Sequence, residues 1–193
     1  MSSSPHMSIA NAIIGNVKDT AGTTDTNSDT SIDNSERLRT SIGKVVCVGR
    51  NYAAHAEELG NEVPSAPMLF IKPASSVVSI HQCVERPNPA IFGETHYEAE
   101  LCIQLATDLS KATLAEAKQA IGGVTLGLDL TLRELQTELK EKGHPWERAK
   151  CFDGACVLAD WLDANAFGDF KNVHYQLNIN NELKQDGDSA LML

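Results

Sequence analysis

Two glutamates, Glu98 and Glu100, lie one residue apart in a segment in which apolar and polar residues alternate. Because strand side chains point alternately to opposite faces, both carboxylates would share one face with Cys102 and Gln104, about 7 Å apart at Cα. This spacing lets one oxygen from each carboxylate bind a single cation, whereas without a cation the charges repel and one carboxyl keeps a proton. The alternative is an edge strand with a solvated acidic face.

A third carboxylate, Asp129, lies near the end of the apolar segment 124–130. A lone charge in such a segment is costly to bury, so Asp129 needs a partner. It could simply cap the helix predicted to follow it, whose first turn is partly positive. Together with Glu98 and Glu100 it forms an all-oxygen set, which suits Mg²⁺, Mn²⁺ or Ca²⁺ rather than zinc.

Arg133 and Gln136 are spaced i, i+3 at the start of the predicted helix after Asp129, so they point the same way. Arginine binds carboxylates in bidentate fashion, which makes the pair candidates for holding a substrate carboxylate, although an ordinary polar helix face would look the same. Lys150 stands where an apolar run begins and could polarise a carbonyl or stabilise an enolate. Its alternative role is that of a lysine whose ammonium reaches solvent along apolar surface.

His55 and Glu58 form another i, i+3 pair, on a helix predicted after Asn51. A carboxylate beside a histidine orients the ring and supports it as a general base. Pairs of this kind are also common on protein surfaces, so the spacing alone does not separate the two interpretations.

The segments that must position these residues alternate between short strands and short helices, which predicts an α+β fold with strands in the majority. Strands are expected at 44–48, 68–71, 97–105, 124–130, 157–161 and 174–179, and a loop at 81–95. Helices are expected at 52–59 after an Asn51 N-cap, after a capping box at Thr113 with its end at Gly122 and Gly123, and from a second capping box at Thr131 to Gly143.

Residues 1–41 are polar and rich in Asp, Thr, Asn and Ser over most of their length, so we expect a disordered leader before a catalytic domain at 42–193. The chain has 26 acidic and 16 basic residues among 193, a net charge of −10, which argues against a nucleic-acid partner. No apolar run approaches the ~20 residues of a membrane helix, and the N-terminus lacks the pattern of a secretory signal. The five cysteines form no CxxC motif, which favours reduced thiols in a cytoplasmic protein over a zinc site.

The candidate site residues and the segments around them occur along the chain in an order that resembles the fumarylacetoacetate hydrolase family, specifically its small acylpyruvate-hydrolase-like members. The matching segments are KVVCVGRNYAAHAEELG, PMLFIKPASSV, HYEAELCIQL, GLDLTLRELQ and WERAKCFDGACVL, within residues 44 to about 193. The resemblance implies a mixed, mostly β roll, a homodimer, and Mg²⁺ or Mn²⁺ bound by Glu98, Glu100 and Asp129. It further implies a His55/Glu58 base dyad and a catalytic Lys150. Its substrate-binding residues would be Arg50, Arg133 and Gln136.

The resemblance implies a metal-dependent hydrolase that cleaves a carbon–carbon bond in an acylpyruvate or related 2-oxo acid. His55 with Glu58 would activate a water that attacks the distal carbonyl, and Lys150 with the metal would stabilise the departing enolate. An oxaloacetate-type decarboxylase and a 2-oxo-dienoate isomerase are the alternatives on the same site, because one fold hosts several reactions.

Members of the family continue beyond the equivalent of Leu193 with further strands, whereas this sequence ends in an apolar run, Ala190–Leu193. The expectation is therefore a domain whose C-terminal part is absent. A non-catalytic protein that keeps the metal or ligand site is then a further alternative.

Overall fold

A computed structural model of the protein describes residues 13–14, 42–52, 64–166 and 170–193. Its strands are β1 (Ile13–Ile14), β2 (Lys44–Gly49), β3 (Met68–Pro73), β4 (Val77–Ser79), β5 (Thr95–Leu105), β6 (Ile121–Leu132), β7 (Cys156–Leu158), β8 (Leu162–Asp163), β9 (His174–Ile179) and β10 (Glu182–Asp188). Its helices are α1 (Pro89–Phe92), α2 (Leu114–Gln119), α3 (Arg133–Glu141) and α4 (Glu147–Lys150), with short 3₁₀ turns at Ala74–Ser76, Ala164–Ala166, Phe170–Asn172 and Ser189–Leu191. The predicted α+β class, with strands in the majority, is confirmed.

The strands of the described residues form three sheets. A mixed sheet has the order β4-β7-β6-β5, in which β4 and β7 are parallel and the other pairs antiparallel, and β8 also pairs with β6. β2 and β3 form an antiparallel ribbon, and β1, β9 and β10 form a small antiparallel sheet. This mixed, mostly β architecture agrees with the roll expected from the resemblance.

The centre of the mixed sheet is β6, which is buried on both faces from Gly123 onward. Three of its leucines lie on one face and pack with residues of β4, β5, β7 and β9 in the largest core cluster: Val78, Ala99, Leu126, Leu128, Leu130, Val157, Tyr175 and Leu177. The opposite face carries Asp129 and Thr131, so β6 has a polar side that is also covered. This arrangement places a buried carboxylate in the middle of the fold.

Helix α3 follows β6 directly and packs through an apolar stripe. Leu132, Leu135 and Leu139 are all buried, and Ala149 of α4 completes their cluster. This packing fixes the start of α3, with Arg133, at the end of the strand that carries Asp129.

Two predicted helix ends are wrong. The Thr131 capping box does not form, because the β5–β6 pairing continues through Thr131 and Leu132, and Leu132 precedes α3 without a side-chain cap. The Thr113 capping box is confirmed, but α2 ends at Gln119, and Gly122 and Gly123 belong to β6. A Cβ on Gly122 would lie 2.7 Å from Ala106 Cβ, so the glycine allows β6 to approach the end of β5 closely.

Other strand boundaries also differ from the prediction. The expected loop 81–95 contains α1, which Asn88 caps by accepting a hydrogen bond from Ala90 N. The strand expected at 157–161 ends at Leu158, and the Asp160 carbonyl instead accepts a hydrogen bond from the Thr125 hydroxyl. The strands β4, β8 and β10 and the short helix α4 were not predicted.

Part of the predicted organisation falls on residues outside the described ranges. The helix at 52–59 lies there except for Tyr52, which forms an isolated antiparallel bridge with Met192. Within the predicted leader, Ile13–Ile14 pair with Tyr175 and Gln176 of β9, which departs from the prediction at these two residues. The division into leader and catalytic domain otherwise stays a prediction.

The five cysteines are free thiols, and only Cys83 is exposed. Burial raises the pKa of Cys47 to about 12 and that of Cys156 to about 11, so both remain protonated at neutral pH. Among the helices of the described residues, none has the length and apolar character needed to cross a membrane.

Candidate metal and substrate site

The three predicted carboxylates come from two neighbouring strands. Glu98 of β5 lies directly opposite Asp129 of β6, and Glu100 lies opposite Gly127. Side chains of directly opposed residues project on the same face of a sheet, so the three carboxylates share the polar face of the β5–β6 pair. A Cβ on Gly127 would lie 2.9 Å from Cys102 Sγ, so the glycine leaves room beside Glu100. The structure therefore brings the predicted metal ligands to one face of one strand pair.

Lys150 is buried among these carboxylates, with only 3% of its surface exposed. Its ammonium donates to Asp129 Oδ2 and Thr131 Oγ1, each at 2.6 Å, and lies 3.5 Å from Glu98 Oε2. The ring of Phe70 lies beneath it, with the ring centroid 4.9 Å from Nζ. The interpretation of Lys150 as a lysine reaching for solvent is therefore wrong.

Arg133 and Gln136 share one side of α3, as their spacing predicts. Arg133 Nη1 donates to Gln136 Oε1 at 2.7 Å, and its Nη2 donates to Glu98 Oε1 at 2.5 Å. In this arrangement the guanidinium binds a protein carboxylate, so a substrate carboxylate would have to compete with Glu98 for it.

Lys72 is a further charged residue of the site that the sequence analysis did not identify. It is 1% exposed, and its ammonium donates to the carbonyl oxygens of Leu130 (3.2 Å), Ala155 (3.0 Å) and Lys150. It also lies 2.9 Å from Asp129 Oδ1. Met68, Phe70 and Lys72 alternate along β3, and this period of two was the signal that could have placed Lys72 on the inner face of the ribbon.

The nearby positive charges do not fully offset the negative charge that Glu100 would carry when ionised. Burial raises the pKa of its carboxyl to about 8, and the negative charges of Glu98 and Asp129 add to this, against a smaller lowering by Lys150. Asp129 Oδ1 is also buried without a hydrogen bond of good geometry, despite its proximity to Lys72. A cation on this face would favour the ionised form of Glu100.

The donor set fits a hard divalent cation, since it consists of carboxylate oxygens. Within the residues that the structure describes, however, no three acidic, His or Cys side chains are gathered as metal ligands. The physical reason is that Glu98 is bound by Arg133 and Asp129 by Lys150, so their oxygens are turned toward these cations. Binding of a metal by all three carboxylates stays a prediction and requires rotation of the glutamates.

The raised pKa of Glu100 leads to a prediction for the metal-free protein. The folded-state pKa of Glu100, about 8, exceeds the ordinary value of 4.5. The contribution of the protonated Glu100 carboxyl to the free energy of unfolding is therefore fully present below pH 4.5 and is lost as the pH rises through about 8. We expect the free energy of unfolding in EDTA, measured with urea, to decrease from pH 6 to pH 8.5, and Glu100→Gln to reduce this decrease. Glu85→Gln, which removes an exposed carboxylate, should leave it unchanged. An equal decrease in Glu100→Gln and the unmutated protein would contradict the assignment.

The remaining predicted residues are placed only in part. His55 and Glu58 lie outside the described residues, so the base dyad stays a prediction. Arg50 follows β2 in a left-handed conformation with φ of 55°. Burial lowers the pKa of Lys140, and the positive charges of Arg133 and Arg50 lower it further. Arg50 therefore belongs to the positively charged surroundings of α3, and its contact with substrate stays a prediction.

A tyrosine pair near Glu100 was not predicted. The hydroxyls of Tyr52 and Tyr175 lie 2.9 Å apart. Burial raises the pKa of both phenols, and the charge of Glu100 adds to the increase. Their separation by 123 positions in the sequence explains why no local pattern revealed them.

The sequence and the fold were compared with known proteins. The family described as fumarylacetoacetate (FAA) hydrolase C-terminal matches residues 44–193. An oxaloacetate tautomerase from Escherichia coli is 42% identical over 153 residues, which cover 79% of this chain and 69% of the relative. A mitochondrial oxaloacetate tautomerase from Arabidopsis thaliana is 39% identical over 75% of this chain and 64% of its own length. The chain thus spans about two thirds of the length of these curated relatives.

Solved structures give the same result. A fumarylacetoacetate hydrolase family protein from Yersinia pestis matches with a TM-score of 0.75 and 42% identity over 78% of this chain and 69% of its own. The fumarylpyruvate hydrolase of Pseudomonas aeruginosa, solved in complex with Mn²⁺ and pyruvate, matches with a TM-score of 0.71 and 34% identity. That match covers 78% of this chain and 66% of the hydrolase.

Proposed function

The chain belongs to the fumarylacetoacetate hydrolase family, and on this premise we propose that it is a metal-dependent enzyme that interconverts the enol and keto forms of a small 2-oxo diacid of the oxaloacetate type. The observation that carries the proposal is the buried Lys150 ammonium, which lies within 3.5 Å of both Asp129 and Glu98. Likeness to the two oxaloacetate tautomerases supports this reaction rather than the hydrolysis that the resemblance first suggested.

The reaction moves one proton between C3 and the oxygen on C2 of the substrate. Lys150 is suited to hydrogen-bond that oxygen, because its ammonium is already held in place by Asp129 and Thr131. A fixed positive charge in a buried site stabilises negative charge that develops on an oxygen without reorganisation of solvent. His55, oriented by Glu58, would take the proton from C3, as the resemblance implies.

Substrate orientation would come from α3. Arg133 would bind the 1-carboxylate of the substrate in exchange for Glu98, Gln136 would support the guanidinium, and Arg50 would contribute a second positive charge. Glu98, Glu100 and Asp129 would hold Mg²⁺ or Mn²⁺, which would supply a Lewis acid that polarises the 2-oxo group. The homodimer and the cytoplasmic location suggested by the sequence remain predictions.

A second candidate is hydrolysis of an acylpyruvate, which the likeness to the Mn²⁺- and pyruvate-bound fumarylpyruvate hydrolase favours. An assay of the full chain with Mg²⁺ or Mn²⁺ separates the candidates. We expect the enol absorbance of oxaloacetate to decay faster than in buffer, EDTA to abolish the effect, and acetylpyruvate to remain uncleaved. Cleavage of acetylpyruvate without tautomerisation would favour the hydrolase. Release of CO₂ from oxaloacetate would favour the decarboxylase. A chain that binds the metal but catalyses none of these reactions would be a non-catalytic binding protein.

A further inference from the structure

The backbone of Ala99, the residue between Glu98 and Glu100, is bound by a side chain from another sheet. Gln185 of β10 accepts a hydrogen bond from Ala99 N through Oε1 at 2.7 Å, and its Nε2 donates to Ala99 O at 2.7 Å. One amide side chain thus makes the pair of hydrogen bonds that an adjacent strand makes with one residue. Because β5 is the last strand in the order of the mixed sheet, Gln185 acts in place of a further strand.

A β-bulge directs Gln185 to this position. Leu183 is paired with Asn178 of β9, but Gln185 is paired with Leu177, so β10 accommodates one extra residue between them. In uninterrupted pairing Lys184, not Gln185, would oppose Leu177. A shift of one residue moves every later side chain of the strand to the other face of the sheet. The bulge leaves Lys184 exposed and turns Gln185 to the side of the hairpin that faces β5.

Anchoring Ala99 constrains both neighbouring glutamates. The methyl group of Ala99 is 5% exposed and packs in the largest core cluster, so one side of the residue is already held by apolar contacts. Gln185 fixes the remaining polar groups of its backbone, and the backbone torsions of this residue set the relative directions of Glu98 and Glu100. Groups that orient metal ligands through hydrogen bonds strengthen metal binding, because the ligands then lose less conformational entropy when the metal binds.

We propose that Gln185 is a positioning residue that holds the segment Glu98–Glu100 in the geometry in which both carboxylates bind a divalent cation. The inference rests on the proposed function, since it takes these glutamates as ligands. It assigns a role in metal binding to a residue 86 positions away in sequence, on a different sheet.

The test is the Mn²⁺ affinity of the full chain, measured by electron paramagnetic resonance of free Mn²⁺, together with Tm. We expect Gln185→Leu to weaken Mn²⁺ binding by roughly 10- to 100-fold. Gln176→Leu, at an exposed position of β9, is the matched control and should bind as the unmutated chain does. Gln185→Glu can still accept from Ala99 N but cannot donate when ionised, so its affinity should fall between the two.

A purely structural role for Gln185 would lower Tm and leave the affinity of the folded protein unchanged. Equal affinities for Gln185→Leu and the unmutated chain would therefore overturn the inference while leaving the metal site intact. If Gln185→Leu does not fold, the Mn²⁺ affinity of Gln185→Glu is compared with that of the unmutated chain, and equal affinities would again overturn the inference. An unmutated chain that binds no Mn²⁺ would overturn the proposed site and this inference together.

Discussion

Replacing Lys150 by methionine is expected to lower kcat for oxaloacetate tautomerisation by roughly 10²- to 10⁴-fold, the range for loss of a well-placed charged group or proton donor. Methionine keeps most of the volume of lysine but has no ammonium. The variant would therefore lose the hydrogen bonds to Asp129 and Thr131 as well as the interaction with the 2-oxygen of the substrate. We expect the loss mainly in kcat, because Arg133 and Gln136 remain to bind the carboxylate.

The matched control for this variant is Lys142→Met, which removes an exposed lysine paired with Glu138. Its kcat should equal that of the unmutated chain. Both variants need to be assayed below their melting temperatures, so that unfolded protein does not account for the loss. Full activity in a folded Lys150→Met variant would show that the buried ammonium is structural and would remove the main support for the proposed mechanism.

The second large effect is expected for Lys72→Met, which should lower the free energy of unfolding by about 3–5 kcal/mol, as removal of one partner of a buried ion pair does. The substitution leaves Asp129 Oδ1 and the carbonyl oxygens of Leu130 and Ala155 without the ammonium that now serves all three. Buried acceptors without donors carry their full desolvation cost.

Urea unfolding followed by circular dichroism measures this loss. Lys118→Met, on the exposed side of α2, is the control and should change the free energy of unfolding by less than about 1 kcal/mol. A comparable small change in Lys72→Met would mean that Lys72 does not organise the buried site.

Much of the site was predictable from local sequence because its ligands lie on regular strands. The alternation in residues 97–105 placed Glu98 and Glu100 on one face, and the apolar run around Asp129 identified a buried strand. The antiparallel pairing of the two strands, which brings Glu98 opposite Asp129, was not predicted. These local patterns carry the information because a strand has a fixed period of two.

Residues whose role depends on distant partners were not predictable. Lys72 directly follows the strand expected at 68–71, but its acceptors lie 58 to 83 residues further along the chain. Gln185 reaches Ala99 only because of a bulge in β10, and a bulge has no reliable local signature. Thr131 shows the reverse case, since a capping-box pattern was overridden by pairing with β5.

The metal site is tested most directly by titrating Mn²⁺ into the unmutated chain and into a variant carrying both Glu98→Gln and Glu100→Gln, with free Mn²⁺ followed by electron paramagnetic resonance. The amides preserve the side-chain volume and remove two of the three anionic ligands. We predict saturable binding to the unmutated chain, unchanged binding in Glu85→Gln, and a loss of affinity of roughly 100-fold or more in the double variant. Normal Mn²⁺ binding by the double variant would contradict the assignment of Glu98 and Glu100 as metal ligands.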